Sequence, residues 1–210
     1  MSNGNQDRGN EADTGIGERA GKSEQAPGEH GPAPGYLDHV RAVFSSPDEF
    51  FETGHRSDRG HAATDLVVYA VAVFLAALFA RVTGYSGWDF EFGYLIDAGK
   101  SVLTVAVALA GAIFGLGLYG TRGGNPRSTA FYIEKLGGGL LLPALLLVAA
   151  IVLDLLDIRI HAWLRGLAMA LVYVLIFAFA YAYATPGRLK TAVGFLAGFY
   201  VLYRLMALLF

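Results

Sequence analysis

Residues 66–80 read LVVYAVAVFLAALFA and contain no charged side chain. With their flanks they reach the length that crosses a bilayer, since about 20 apolar residues at 1.5 Å each span a hydrocarbon core of roughly 30 Å. Four more runs of this kind follow: SVLTVAVALAGAIFGLGLY (101–119), LLLPALLLVAAIVLDLL (140–156), LAMALVYVLIFAFAYAYA (167–184) and TAVGFLAGFYVLYRLMALLF (191–210). The reading is an all-α integral membrane protein, a bundle of about five transmembrane helices. The expected spans are approximately 62–82, 97–120, 130–157, 161–184 and 188–210, within a membrane domain of residues 61–210.

Composition agrees with this class. Only 16% of the 210 residues are charged, where a globular domain carries about 25%. The net charge of −2 lacks the strongly basic balance of a nucleic-acid binder. Cysteine is absent, so disulfides, thiolate metal sites and a cysteine nucleophile are excluded.

Residues 1–35 are rich in Gly, Glu, Ser, Pro and Asn and hold no apolar h-region. They are expected to be a disordered cytoplasmic tail, with the first span acting as the targeting signal. Residues 36–60 read as short amphipathic helices at the membrane interface. Tyr36, Leu37, Val40, Val43 and Phe44 recur at helical spacing, with Asp38, His39 and Arg41 on the other side. Ser46-Pro47-Asp48-Glu49 reads as a capping box opening a second helix with Phe50 and Phe51. Such helices lie on the membrane surface or pack on the bundle end. His55, Arg56, Arg59 and His61 form a basic cluster suited to anionic headgroups, and Arg56 and Arg59 are its lipid-facing cations.

Asp65 is expected in the first turn of the first span, where the helix dipole favours a carboxylate. The loop before the second span carries Tyr85, Trp88, Phe90, Phe92 and Tyr94, aromatics typical of the headgroup level. The second span contains Gly111-x-x-x-Gly115 plus Gly117, small residues that let helices approach closely. In the third span Glu134 and Lys135 precede Gly137, Gly138 and Gly139, with Pro143 one turn on. Each glycine costs a helix about 1 kcal/mol relative to alanine, and an interior proline removes a backbone bond. A helix break at Gly137–Pro143 is therefore the expected place to bend or to admit a ligand.

Charged groups inside a bilayer are expensive and commonly functional. Asp65, Glu134, Lys135 and Arg204 all lie near expected helix ends, where interfacial placement explains them. Glu134 is the exception worth testing: a helix starting at Ala130 would put its carboxylate inside the bundle beside Lys135 or Tyr132. The stripe Tyr173, Phe177, Tyr181 reads as a packing face, with a quinone or lipid groove as the alternative. No catalytic triad, phosphate loop or metal-ligand spacing is present. No catalytic residue, metal or cofactor is expected. Arg41, Arg56, Arg59, Arg122, Arg127, Lys135, Arg188 and Lys190 would face one side, and Arg81, Lys100, Arg159 and Arg165 the other, together with the acidic group Asp89, Glu91, Asp97, Asp154 and Asp157. The positive-inside rule then puts the amino terminus in the cytoplasm and the carboxy terminus outside.

The run HVRAVFSSPDEFFETGHRSDRGHAATDLVVYAVAVFLAAL, through Val43, Phe44, Pro47, Phe50 and Phe51, resembles the opening of bacterial Yip1-domain membrane proteins. The residue pattern covers Tyr36 to about Leu78, and the five-span layout extends the likeness to Phe210. The resemblance implies a bacterial inner-membrane protein without assigned activity; eukaryotic members are associated with membrane traffic and small GTPases. The expected function is a non-catalytic scaffold or interaction protein, Yip1-like, whose partners are the lipid bilayer and another membrane protein or a second copy. The alternative is a small transporter, channel or membrane-complex subunit using the Gly137–Pro143 break.

Overall fold

The computed structural model describes residues 35–46, 51, 59–83, 90–124, 126–184 and 187–210. Its order is α1 (Tyr36–Ser45), α2 (Arg59–Val82), α3 (Phe92–Arg122), α4 (Thr129–Leu155), α5 (His161–Phe179) continuing as a π-helical turn (Ala180–Ala184), and α6 (Leu189–Leu209). Helices α2 to α6 are each long and apolar enough to cross a membrane. Among the described residues there is no strand. The protein is an all-α integral membrane protein of five spanning helices preceded by a short one. The expected tail falls on residues 1–34 and the expected second amphipathic helix on 47–50 and 52–58, both outside the described residues apart from Gly35, Ser46 and Phe51.

Local chemistry sets the ends. Ser128 opens α4 by accepting the Phe131 N–H at 3.2 Å, which satisfies one of the unpaired first-turn donors. The same helix closes in a Schellman turn. Asp157 takes the left-handed conformation (φ 53°), its N–H bonds to the Asp154 carbonyl at 3.0 Å, and the Ile158 N–H returns to Leu153 at 2.9 Å. Aspartate tolerates that conformation better than a branched residue. Helix α3 runs 31 residues, about 46 Å at 1.5 Å each, well beyond the hydrocarbon thickness. Its first turns therefore extend to the headgroup region, and Phe92 and Tyr94 belong to helix, not to the loop expected there.

Helix α4 is the centre of the bundle. Over its most apolar stretch 56% of residues are buried, against 11% in α6, the most exposed of the five spans. Lipid tails give no hydrophobic push between helices, and close packing through small residues takes its place. A Cβ on Gly137 would stand 2.7 Å from the carbonyl oxygen of Ala62, so α2 and α4 cross with backbone against backbone. On Gly139 a Cβ would meet the Leu175 side chain at 2.6 Å, and Gly138 is buried. Gly137 and Gly139 make room for neighbours.

Two sequence expectations change here. Residues 137–143 are helical throughout α4, and Pro143 is buried inside it. There is no break; Pro143 only leaves the Gly139 carbonyl without its usual donor. In α3, Cβ atoms on Gly111 and Gly115 would collide with Leu202 (2.5 Å) and Phe195 (2.8 Å) of α6, but one on Gly117 would meet nothing within 4 Å. Gly117 has no part in that contact, because it points away from α6.

Candidate functional site

Among the described residues, buried polar side chains gather at both ends of the bundle. The first cluster joins α1 to α2. Asp65 is fully buried and His39 nearly so. His39 Nε2 lies 2.8 Å from Asp65 Oδ2, and the Tyr36 hydroxyl donates to Asp65 Oδ1 at 3.0 Å. The His61 ring, 5.1 Å from that of His39 and 5.9 Å from that of Tyr36, completes the group.

Helical spacing explains the convergence. Tyr36, His39 and Val43 share the inward face of α1, where His39 and Val43 are buried and Val43 packs with Leu141. His39 is therefore on the docked face and not on the solvent side with Asp38 and Arg41. Helix α2 begins at Arg59, so Asp65 lies beyond its first turn. The expected dipole role gives way to direct hydrogen bonding, which is stronger because the site excludes water. Burial, the bond to Asp65 and the carboxylate's charge together push the Tyr36 hydroxyl pKa up to about 12.

The basic cluster expected here splits. Arg56 lies outside the described residues, Arg59 opens α2, and His61 turns into the polar group. Helix α1 packs one face on the bundle end, leaving Leu37 80% and Phe44 45% exposed on the other. The Phe51 ring lies 5.9 Å from that of Phe179, tilted by 60°, and the Phe51 carbonyl accepts the Tyr183 hydroxyl from the π-helical turn.

Glu134 and Lys135 lie in the second turn of α4. The Lys135 side chain is fully buried, that of Glu134 12% exposed, and Lys135 Nζ stands 3.9 Å from Glu134 Oε1. The ammonium, which end placement was expected to explain, is the more deeply placed of the two. Beside them Tyr132 is fully buried, its hydroxyl without a hydrogen-bond partner among the described residues. Arg127 lies over the Phe131 ring at 5.3 Å.

The second cluster closes the α4–α5 hairpin. Asp154, with a side chain 1% exposed, faces His161 Nδ1 at 2.9 Å and makes close contact with Arg165 Nη2. His161 Nδ1 is also 3.0 Å from the Ile158 carbonyl. The Asp154 oxygens lack hydrogen-bond orientation toward either partner, so its contact with the Arg165 guanidinium is one of charge proximity. At this end Arg81 and Asp97 pair at 3.5 Å, both about half exposed, beside a cavity of about 310 Å³. The expected aromatic stripe divides: Tyr173 packs toward Phe199 and Tyr203 of α6, and Phe177 stacks on Tyr181 at 6.1 Å.

Sequence reasoning missed both clusters as units. Tyr36 and His39 stand 29 and 26 residues from Asp65, a separation without a periodic signal. Asp154 followed by His161 and Arg165 did carry one: an acid ending an apolar run, then bases at i and i+4 of the next helix. Among the described residues no three His, Cys, Asp or Glu side chains could hold a metal ion. No family model matches this chain, and no curated protein and no solved structure matches it significantly.

Proposed function

We propose that the protein is a non-catalytic scaffold or interaction protein of the bacterial inner membrane, Yip1-like in layout, with its amino terminus cytoplasmic and its carboxy terminus outside. The observation that carries this reading is the docking of α1. A carboxylate buried in α2, bonded by both Tyr36 and His39, holds a short helix against the bundle end and turns Leu37, Asp38, Arg41 and Phe44 outward. A helix fixed in this way offers a partner a pre-ordered surface, which lowers the ordering cost of binding. The partner is another membrane protein or a second copy, and the bilayer supplies the rest of the surroundings. The alternative, a small transporter, channel or membrane-complex subunit using Gly137–Pro143, is the outcome the flux measurement below would favour; α4 is helical across those residues.

Photoreactive residues placed at Leu37 and Phe44 of the full chain in native membranes test the proposal. A discrete protein adduct at these positions, lost when His39→Ala releases α1, is expected. Solute or proton flux in proteoliposomes that Glu134→Gln abolishes would overturn it.

A further inference from the structure

Three hollows meet at Val73 of α2 and Val105 of α3, with volumes of about 310, 200 and 220 Å³. Their chemistry changes along the seam. At the end away from α1 the walls carry Arg81, Asp97, Lys100, Ser101 and Thr104. Toward the other end they become almost wholly apolar, through Leu66, Val102, Leu109 and Ile113, with Tyr69 the one polar side chain. A polar mouth continuous with an oily groove fits an amphiphile better than a solute or a bare ion.

We propose that the α2–α3 seam binds one anionic phospholipid of the surrounding membrane, with its phosphate at Lys100 and Arg81 and an acyl chain lying past Val73 and Val105 toward Ile113. Charge selects the headgroup. Among the side chains that line the mouth two are cationic, Arg81 and Lys100, and one is anionic, Asp97. The Arg81–Asp97 contact is solvent-exposed and 3.5 Å long; such pairs are weak, and a phosphate can draw Arg81 away from it. Depth selects the tail. From Lys100 to Ile113 is 13 residues of one helix, about 20 Å at 1.5 Å each. A single leaflet is about 15 Å deep, half the hydrocarbon core. A chain anchored at the mouth therefore reaches the bilayer midplane within the groove. The groove walls are held apart by small side chains, Ala70, Ala106 and Ala110, where larger ones would fill the space.

The test uses the full-length protein, stripped of lipid in mild detergent and titrated with phosphatidylglycerol, phosphatidylcholine or inorganic phosphate. Native mass spectrometry counts retained lipid. Phosphatidylglycerol is expected to be retained in preference to phosphatidylcholine. Lys100→Gln and Arg81→Gln should each weaken it about fivefold, the factor for one cationic contact to an anionic headgroup. Ala106→Phe should weaken both lipids by filling the groove, and Arg204→Gln, outside the seam, should change neither. Equal retention of the two lipids would overturn the proposal. So would displacement of phosphatidylglycerol by inorganic phosphate alone, which marks an ion site, or indifference to both charge removals. Lys100 is exposed, so its substitution tests binding without disturbing the core.

Discussion

The carboxylate of Asp65 and Nε2 of His39 lie 2.8 Å apart inside the protein although 26 residues separate them in the chain. This contact joins the only described helix outside the spans to the first spanning helix. It determines whether α1 is part of the bundle or a free amphipathic segment.

Removing one partner should release α1. Leaving a buried hydrogen-bonding group without one of its partners costs about 1–3 kcal/mol, so His39→Ala should lower stability by about that amount. Asp65→Asn keeps the shape and should cost about 1–3 kcal/mol. The double variant should fall short of the sum by at least about 0.5 kcal/mol, as coupled residues do. Thermal unfolding in detergent, together with protease access to residues 36–45, measures both effects; strict additivity would show that the two side chains act independently.

Alkaline pH should loosen the same helix. The folded-state pKa of the Tyr36 hydroxyl is about 12, above its ordinary 10.0. A raised pKa contributes stability that is fully present below the unfolded value and lost as pH rises through the folded one. Protease protection of α1 should therefore fall between about pH 10 and 12, over the interval the two pKa values define. Tyr36→Phe should remove that component of the pH dependence. A phenolate titrating near pH 10 in ultraviolet difference spectra of wild type minus Tyr36→Phe would contradict the burial argument.

Glycine substitutions should separate three kinds of neighbour. Gly137→Ala drives a methyl into the Ala62 carbonyl at 2.7 Å, which backbone cannot evade, and should cost about 1–3 kcal/mol as overpacking does. At Gly111 the obstacle is the movable end of Leu202, so the alanine variant should lose less. Gly117→Ala meets open space and should be neutral, or gain up to about 1 kcal/mol from helix propensity. Melting temperatures of the three variants in one detergent give the order; a Gly117 variant as damaged as the Gly137 one would refute it.

At the opposite end, Asp154→Ala should open the α4–α5 hairpin by leaving the Arg165 guanidinium buried without its carboxylate. The expected loss is about 3–5 kcal/mol, the range for breaking a buried ion pair. His161→Ala should cost less, because the buried Asp154 carboxylate keeps Arg165 as its partner. Hydrogen exchange of residues 153–165 reads the change locally. Equal effects from the two variants would mean that the imidazole holds the hairpin as strongly as the carboxylate does.

The spans were legible in the sequence because burial in lipid depends on local composition. Residues 66–80 are apolar wherever they fold, and the lengths of such runs match one physical thickness. Helix ends were less legible. Helix α3 starts at Phe92, upstream of Asp97, because aromatic residues suit both a helix and a headgroup loop. The Gly137–Pro143 segment misled for a related reason. Glycine and proline weaken an isolated helix, but in the centre of a bundle the glycines permit the approach of Ala62 and Leu175 that holds the segment helical.

From its residues alone this chain was bound to be a five-span helical membrane protein, since oily runs of that length lower their free energy only in hydrocarbon. What the residues could not state is which charged groups would meet. Asp65 with His39 and Tyr36, Asp154 with Arg165, and the seam between Lys100 and Ile113 all arise from helix crossings. Those depend on the fit of side chains far apart in sequence, and in lipid, where no hydrophobic force pushes helices together, that fit is settled only by the packed tertiary structure.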